Sequence, residues 1–210
     1  MSAVPSSVRK YTAADVAAQR IEWIPSRWES AFAGHSTAFT ALKAHAERAG
    51  GIARSFIHGQ AGGDAVDLFL MTMAWGYRPK DYGPTRTESV LLQDGAVDKI
   101  TAIVSATRSD GAAAGWRALL DTHKIKGLGM AFGTKLIYFA GYTTHHRPRP
   151  LVLDGRVRSA LQTAAPGTVP PRGRVWSEDY LRYLNLAEEW ARDPTWLQEP
   201  EVVEYSLFTR

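Results

Sequence analysis

The chain has 210 residues, 45% of them hydrophobic and seven of them Trp, with 25 Lys and Arg against 21 Asp and Glu. That is enough apolar material for a core and excludes a disordered polymer, while the absence of Cys excludes disulfides, thiolate metal sites and a Cys nucleophile. No run approaches the roughly 20 apolar residues of a membrane span. The opening MSAVPSSVRK lacks the apolar stretch of a secretory signal, so a soluble, cytoplasmic protein without a membrane partner is expected.

In chain order, residues 1–11 are expected to fray. Thr12 and Asp15 form a capping box for a short helix over Ala13 to Arg20. Trp28, Phe32, His35, Phe39, Leu42 and Ala46 step by threes and fours, which predicts one amphipathic helix from Ser26 to the Gly50-Gly51 stop. His35 reads as a core or boundary histidine rather than a ligand. Residues 52–63 carry no clear period. A helix opens at Asp64, turns Val66, Phe69, Leu70 and Met73 inward, and closes at Trp75-Gly76-Tyr77. The loop Arg78 to Pro84 reads either as a connection or, through Arg78, Lys80 and Tyr82, as a phosphate or base contact. A helix follows from Pro84 to Leu92. Asp94 then caps one with Val97, Ile100, Ile103 and Val104 on its apolar face.

Ser109-Asp110-Gly111 breaks the pattern before a helix bearing Trp116, Leu119 and Leu120. Helices are expected after Asp154, after Ser177 with Leu181, Leu184, Ala187 and Trp190 inward, and from Asp193-Pro194 to Phe208. A proline-rich loop covers 162–174. The period is 3.6 nearly everywhere, and Leu151-Val152-Leu153 is the main strand candidate. The expectation is an all-α protein of nine or ten helices in a single domain over 1–210.

The stretch from Lys124 to Ala160 organises the rest. Gly127, Gly129 and Gly133 join one amphipathic run to another that begins at Thr134, a helix–turn–helix hairpin over about 112–141. From Lys124 to Arg174 there are nine basic residues and one acid, Asp154, so this window carries +8 while the whole chain carries +4. A basic face on a mildly acidic body points to an anionic partner, nucleic acid first; a solvated Arg-rich loop is the bland alternative. The turn would present backbone N–H groups at a helix N-terminus, where Gly127, Gly129, Gly133 and Thr134 could cradle a phosphate, although glycines also permit a plain hairpin. Lys135, at the start of the second helix, should have a depressed pKa. It suits either nucleophilic attack or a phosphate contact. Asp154 can cap the next helix, stabilise a developing cation, or do both. Adjacent His145 and His146 make a poor metal site, and no metal is expected.

GLGMAFGTKLIYFAG followed by LVLDGRVRSAL resembles the helix-hairpin-helix DNA glycosylases, most closely their 8-oxoguanine glycosylase (OGG-like) branch. Gly133-Thr134-Lys135 and Asp154, nineteen residues on, match that branch in type and spacing. The resemblance implies the helix-hairpin-helix glycosylase fold, with two helical lobes flanking a DNA-binding cleft. It implies Lys135 as the nucleophile at C1′ and Asp154 as the group that stabilises the sugar cation. It also implies Arg156 on a DNA phosphate, Phe139 in the base pocket, and Gln93 as the wedge that fills the gap left by a flipped nucleotide. His145 and Arg147, with His146 and Arg149, would face the DNA backbone. Trp75, Trp116, Trp176 and Tyr180 are the candidates for base stacking.

The implied partner is double-stranded DNA carrying a modified base, met by a monomer. No cofactor is implied, beyond a monovalent cation that the hairpin could take. The chain lacks the N-terminal β-domain of eukaryotic members, so substrate choice does not carry over. It is closer to a compact bacterial subgroup that includes phage-defence enzymes acting on α-glucosylated hydroxymethylcytosine. Removal of 8-oxoguanine with strand cleavage is the alternative activity. A non-catalytic DNA-binding module, or a helical domain with unrelated small-molecule chemistry, are the alternatives from other classes.

Overall fold

Asp64 shows how the local signals become structure. Its carboxylate accepts hydrogen bonds from the Val66 and Asp67 amides at 2.9 and 3.0 Å, satisfying two of the orphan donors at a helix start. The helix it caps, α4 (Ala65–Tyr77), is buried over almost its whole circumference, as expected of a helix apolar all round. In the computed structural model, which describes residues 4–209, ten α-helices form. Before α4 come α1 (Ala13–Ala18), α2 (Ser36–Ala49) and α3 (Arg54–His58). After it come α5 (Tyr82–Leu91), α6 (Ala96–Arg117), α7 (Met130–Gly141), α8 (Gly155–Ala164), α9 (Ser177–Ala191) and α10 (Pro200–Phe208). No helix among the described residues is long and apolar enough to cross a membrane.

Several elements differ from the sequence reading, among them α7, which begins at Met130 rather than Thr134. The helix expected from Ser26 begins at Ser36, because Gly34 takes a left-handed φ of 82° and ends a run of turns there. The break expected at Ser109–Gly111 is instead a kink inside α6, where Gly111 alone leaves helical geometry. The last helix starts at Pro200 rather than Asp193. Leu151–Leu153 is extended but joins no strand; the one bridge among the described residues pairs Ile21 with Ile52. The N-terminal segment is also better anchored than expected from residue 4 onward. Val4 and Val8 enter the core and Arg9 pairs with Asp193, while residues 1–3 lie outside the described part.

Helix α7 packs against α4 on one side and α6 on the other. Helices α8, α9 and α10 gather into a second group, with α1 against α10. A cleft opens between the two groups. The approach of α7 to the end of α6 is set by Gly133, since a Cβ there would lie 2.2 Å from Leu119 Cδ2 and 2.8 Å from its Cγ. Gly133→Ala should therefore cost roughly 1–3 kcal/mol through overpacking, read as a lower denaturant midpoint with an unchanged slope.

Candidate active site

Thr134 and Lys135 are neighbours on α7, and Leu153 and Asp154 are neighbours before α8. Fully buried, the Thr134 hydroxyl accepts the Leu153 amide at 2.9 Å. That bond brings the next residue of each pair together: Lys135 Nζ donates to Asp154 Oδ2 at 3.3 Å. The nineteen-residue spacing is thus a two-rung register between a helix and an extended ribbon. The ribbon is held by side chains, with the Tyr180 hydroxyl bonded to both backbone groups of Leu151 and the Tyr183 hydroxyl donating to the Val152 carbonyl.

Asp154 divides its oxygens between two tasks. Oδ1 accepts the Arg156 and Val157 amides at 3.0 and 3.1 Å and caps α8, leaving Oδ2 for the lysine. Lys135 also donates to the Ala131 carbonyl at 3.1 Å and lies 5.2 Å from the Phe132 ring centre. Burial pushes its amine below the ordinary lysine value, and Asp154 opposes that shift only in part. The cause is desolvation rather than the helix dipole. Lys135 lies in the second turn of α7, not at its start, and the dipole field fades within the first turn.

The pair stands where two spaces meet. Behind it is a cavity of about 50 Å³ walled by Gln19, Arg54, Trp75 and Glu204. In front is an open cleft of about 450 Å³ between the loop after α4, the first turns of α7 and α8, and Phe208 at the end of α10. The cavity floor is a buried ion pair, Arg54 Nη1 to Glu204 Oε2 at 2.6 Å. Burial disfavours the Arg54 charge, but Glu204 and Tyr138 outweigh it and hold the guanidinium firmly protonated. Trp75 Nε1 is buried without a hydrogen-bond partner. The cleft adds Arg78, Lys80 and Arg156, with Asp154 its one acid.

Several residues singled out in the sequence sit elsewhere. Gly127 (φ 88°) and Gly129 do form the exposed turn before α7. Gly133 and Thr134 are buried inside α7, the first for packing and the second for the Leu153 bond, so neither can cradle a phosphate. Gln93 is not free to act as a wedge, because its amide clamps both backbone groups of Lys126 and so braces the hairpin. Phe139 and Tyr180 are fully buried and face no cavity: Phe139 packs edge-on against Trp75, and Tyr180 stacks on Trp116. Trp176 is exposed, stacked with Arg174, and outside the cleft lining.

His145 and Arg147 follow the C-terminal end of α7, the opposite end from the hairpin, and do not reach the cleft. Arg156 does line it. Sequence reasoning missed Gln19, Arg54, Glu204 and Phe208. Glu204 offered a signal, as a carboxylate one position after Val202-Val203 and three before Leu207 on the inward face of α10. His35, Asp64 and Asp67 bring ligand atoms within 4.8 Å of one another away from the cleft. There Asp64 caps α4 and His35 pairs with Asp67 at 2.6 Å, the boundary role expected of that histidine.

An all-helical chain that sets a buried lysine against a carboxylate behind a glycine hairpin has the architecture of a helix-hairpin-helix glycosylase. Residues 14–208 match the model of the family described as "Putative 8-oxoguanine DNA glycosylase OGG-like protein", and the chain belongs to that family. No curated protein and no solved structure matches it.

The depressed amine carries a pH signature. Between its folded value and the ordinary 10.5, the unfolded chain holds this proton and the folded chain does not, so this group's contribution to stability grows as pH rises through that window. Asp154→Asn removes the charge that most opposes desolvation. The Lys135 titration, followed by its Cε carbon shift in NMR, should then move further down; an unchanged titration would mean that Asp154 is not its counter-charge.

Proposed function

We propose that this protein is a DNA glycosylase that extrudes a modified base from the duplex and cleaves its N-glycosidic bond, leaving an abasic site. The observation that carries this reading is the Lys135–Asp154 contact of 3.3 Å at the junction of cavity and cleft. A base swung out of the stack, at a cost of a few kcal/mol, would lie in the outer cleft of about 450 Å³ with one edge at the mouth of the smaller inner cavity, and its sugar would stop at the pair. As the C1′–N bond lengthens, its electrons leave with the base and C1′ becomes cation-like. The Asp154 carboxylate stabilises that charge. Lys135 Nζ forms the new bond to C1′ and passes its proton to Asp154 Oδ2. The sugar ring then opens to a Schiff base, which water hydrolyses to the abasic site.

The breadth of the outer cleft supports a base with a bulky substituent, and we favour α-glucosylated hydroxymethylcytosine of phage DNA, removed in defence. The family description favours 8-oxoguanine as the second reading. Mass spectrometry of bases released from glucosylated phage DNA, oxidised-guanine duplexes and alkylated duplexes decides between them. Release from none of these, with binding retained, would leave a non-catalytic DNA-binding module.

Two variants test the chemistry. Asp154→Asn should lose base release by about 10² or more while still binding DNA. Borohydride should trap a covalent adduct between wild-type protein and substrate DNA but none with Lys135→Ala. Base release by wild type with no trappable adduct would instead assign the attack to water activated by Asp154.

A further inference from the structure

Arg78 has a backbone conformation that an arginine ordinarily avoids. It follows the last residue of α4 with φ 58° and ψ −155°, a region that glycine occupies freely and other residues enter only under strain. Its guanidinium makes no hydrogen bond and no ion pair among the described residues; it meets the Phe208 ring, 5.4 Å from the ring centre. Arg156, from the first turn of α8, meets the same ring at 5.1 Å and also has no carboxylate partner among the described residues. Two cations thus rest on one aromatic ring, one from each wall of the cleft, and neither is ion-paired among the described residues. Arg78 borders both the cavity and the cleft, as Lys135 and Asp154 do, so it stands where the two spaces meet.

A guanidinium laid on a ring keeps its N–H donors free, and their fork fits the oxygens of a phosphate. We propose that Arg78 and Arg156 clamp the sugar–phosphate backbone flanking the extruded nucleotide, using Phe208 as a shared platform, and that the strain at Arg78 is retained because it aims this guanidinium into the cleft. The proposal rests on the glycosylase reading, in which Arg156 already meets a phosphate, and adds to it Arg78 and the shared Phe208 platform. Held at its phosphates from both walls, the sugar presents C1′ to Lys135 in a fixed orientation, which is where misplacement of a reacting group is most costly. A connection that served only to link α4 to α5 would be built more comfortably with glycine at this position.

The test uses a duplex with a tetrahydrofuran abasic-site analogue, which takes the extruded sugar geometry without depending on base identity. Arg78→Gly should melt at the wild-type temperature or above it, because glycine relieves the strain. It should nevertheless bind this duplex roughly tenfold more weakly, with the slope of log affinity against log salt reduced by about one. Arg156→Gln, at an exposed and unstrained position, should lose a similar slope increment, which keeps the test valid should Arg78→Gly fold poorly. Arg78→Lys should restore the slope but only part of the affinity, since lysine supplies charge without the fork. If wild type prefers the analogue duplex while Arg78→Gly and Arg156→Gln bind it with wild-type affinity and slope, the clamp is overturned and the glycosylase reading stands. If wild type binds the analogue no better than intact duplex, both fall together.

Discussion

The hydrogen bond from the Leu153 amide to the buried Thr134 hydroxyl holds the site in register. An extended ribbon without strand partners could slide by a residue, and a slip of one would turn Asp154 away from Lys135. What stops it is side-chain hydrogen bonding from a core that excludes water: Thr134 from α7, and Tyr180 and Tyr183 from α9. Because these groups are buried, losing any of the bonds would strand a backbone N–H or C=O at a cost of about 1–3 kcal/mol. The ribbon is therefore fixed about as firmly as a sheet strand, by a different set of partners.

Burial then shapes the chemistry. The inner cavity gathers three cations, Arg54, Arg78 and Lys135, and two carboxylates, Glu204 and Asp154. Arg54 pairs with Glu204 and Lys135 with Asp154, which leaves Arg78, at the rim shared with the cleft, as the cavity cation without a carboxylate partner among the described residues. The outer cleft is more strongly basic, with Arg78, Lys80, Lys135 and Arg156 against Asp154 alone. In the proposed function, this basic cleft is the surface that would meet a polyanionic backbone.

The glycines of the hairpin divide their work in a comparable way. Gly127 supplies a left-handed turn and Gly129 leads into α7, whereas Gly133 lets that helix close on Leu119. The hairpin is also tied back to the α5–α6 turn through the Gln93 amide. Its exposed backbone is therefore presented from a braced frame.

Read alone, the sequence determined the helical class and most helix positions, and its resemblance to the glycosylases singled out Lys135 and Asp154. Those features are written in local terms: a 3.6-residue period, caps such as Asp64 and Asp154, and a fixed spacing between two polar residues. It overreached where several roles suit one residue type. Thr134, Phe139, Tyr180 and Gln93 all had chemistry suited to DNA, and only packing revealed that their polar or aromatic groups were already engaged within the protein. Tertiary structure alone decided who shares the cleft. Arg54 lies 150 positions from Glu204, and Phe208 meets both Arg78 and Arg156. Such contacts arise when α10 folds back beside α8, and they leave no period or motif in the chain because side chains from distant segments meet through packing rather than through local geometry.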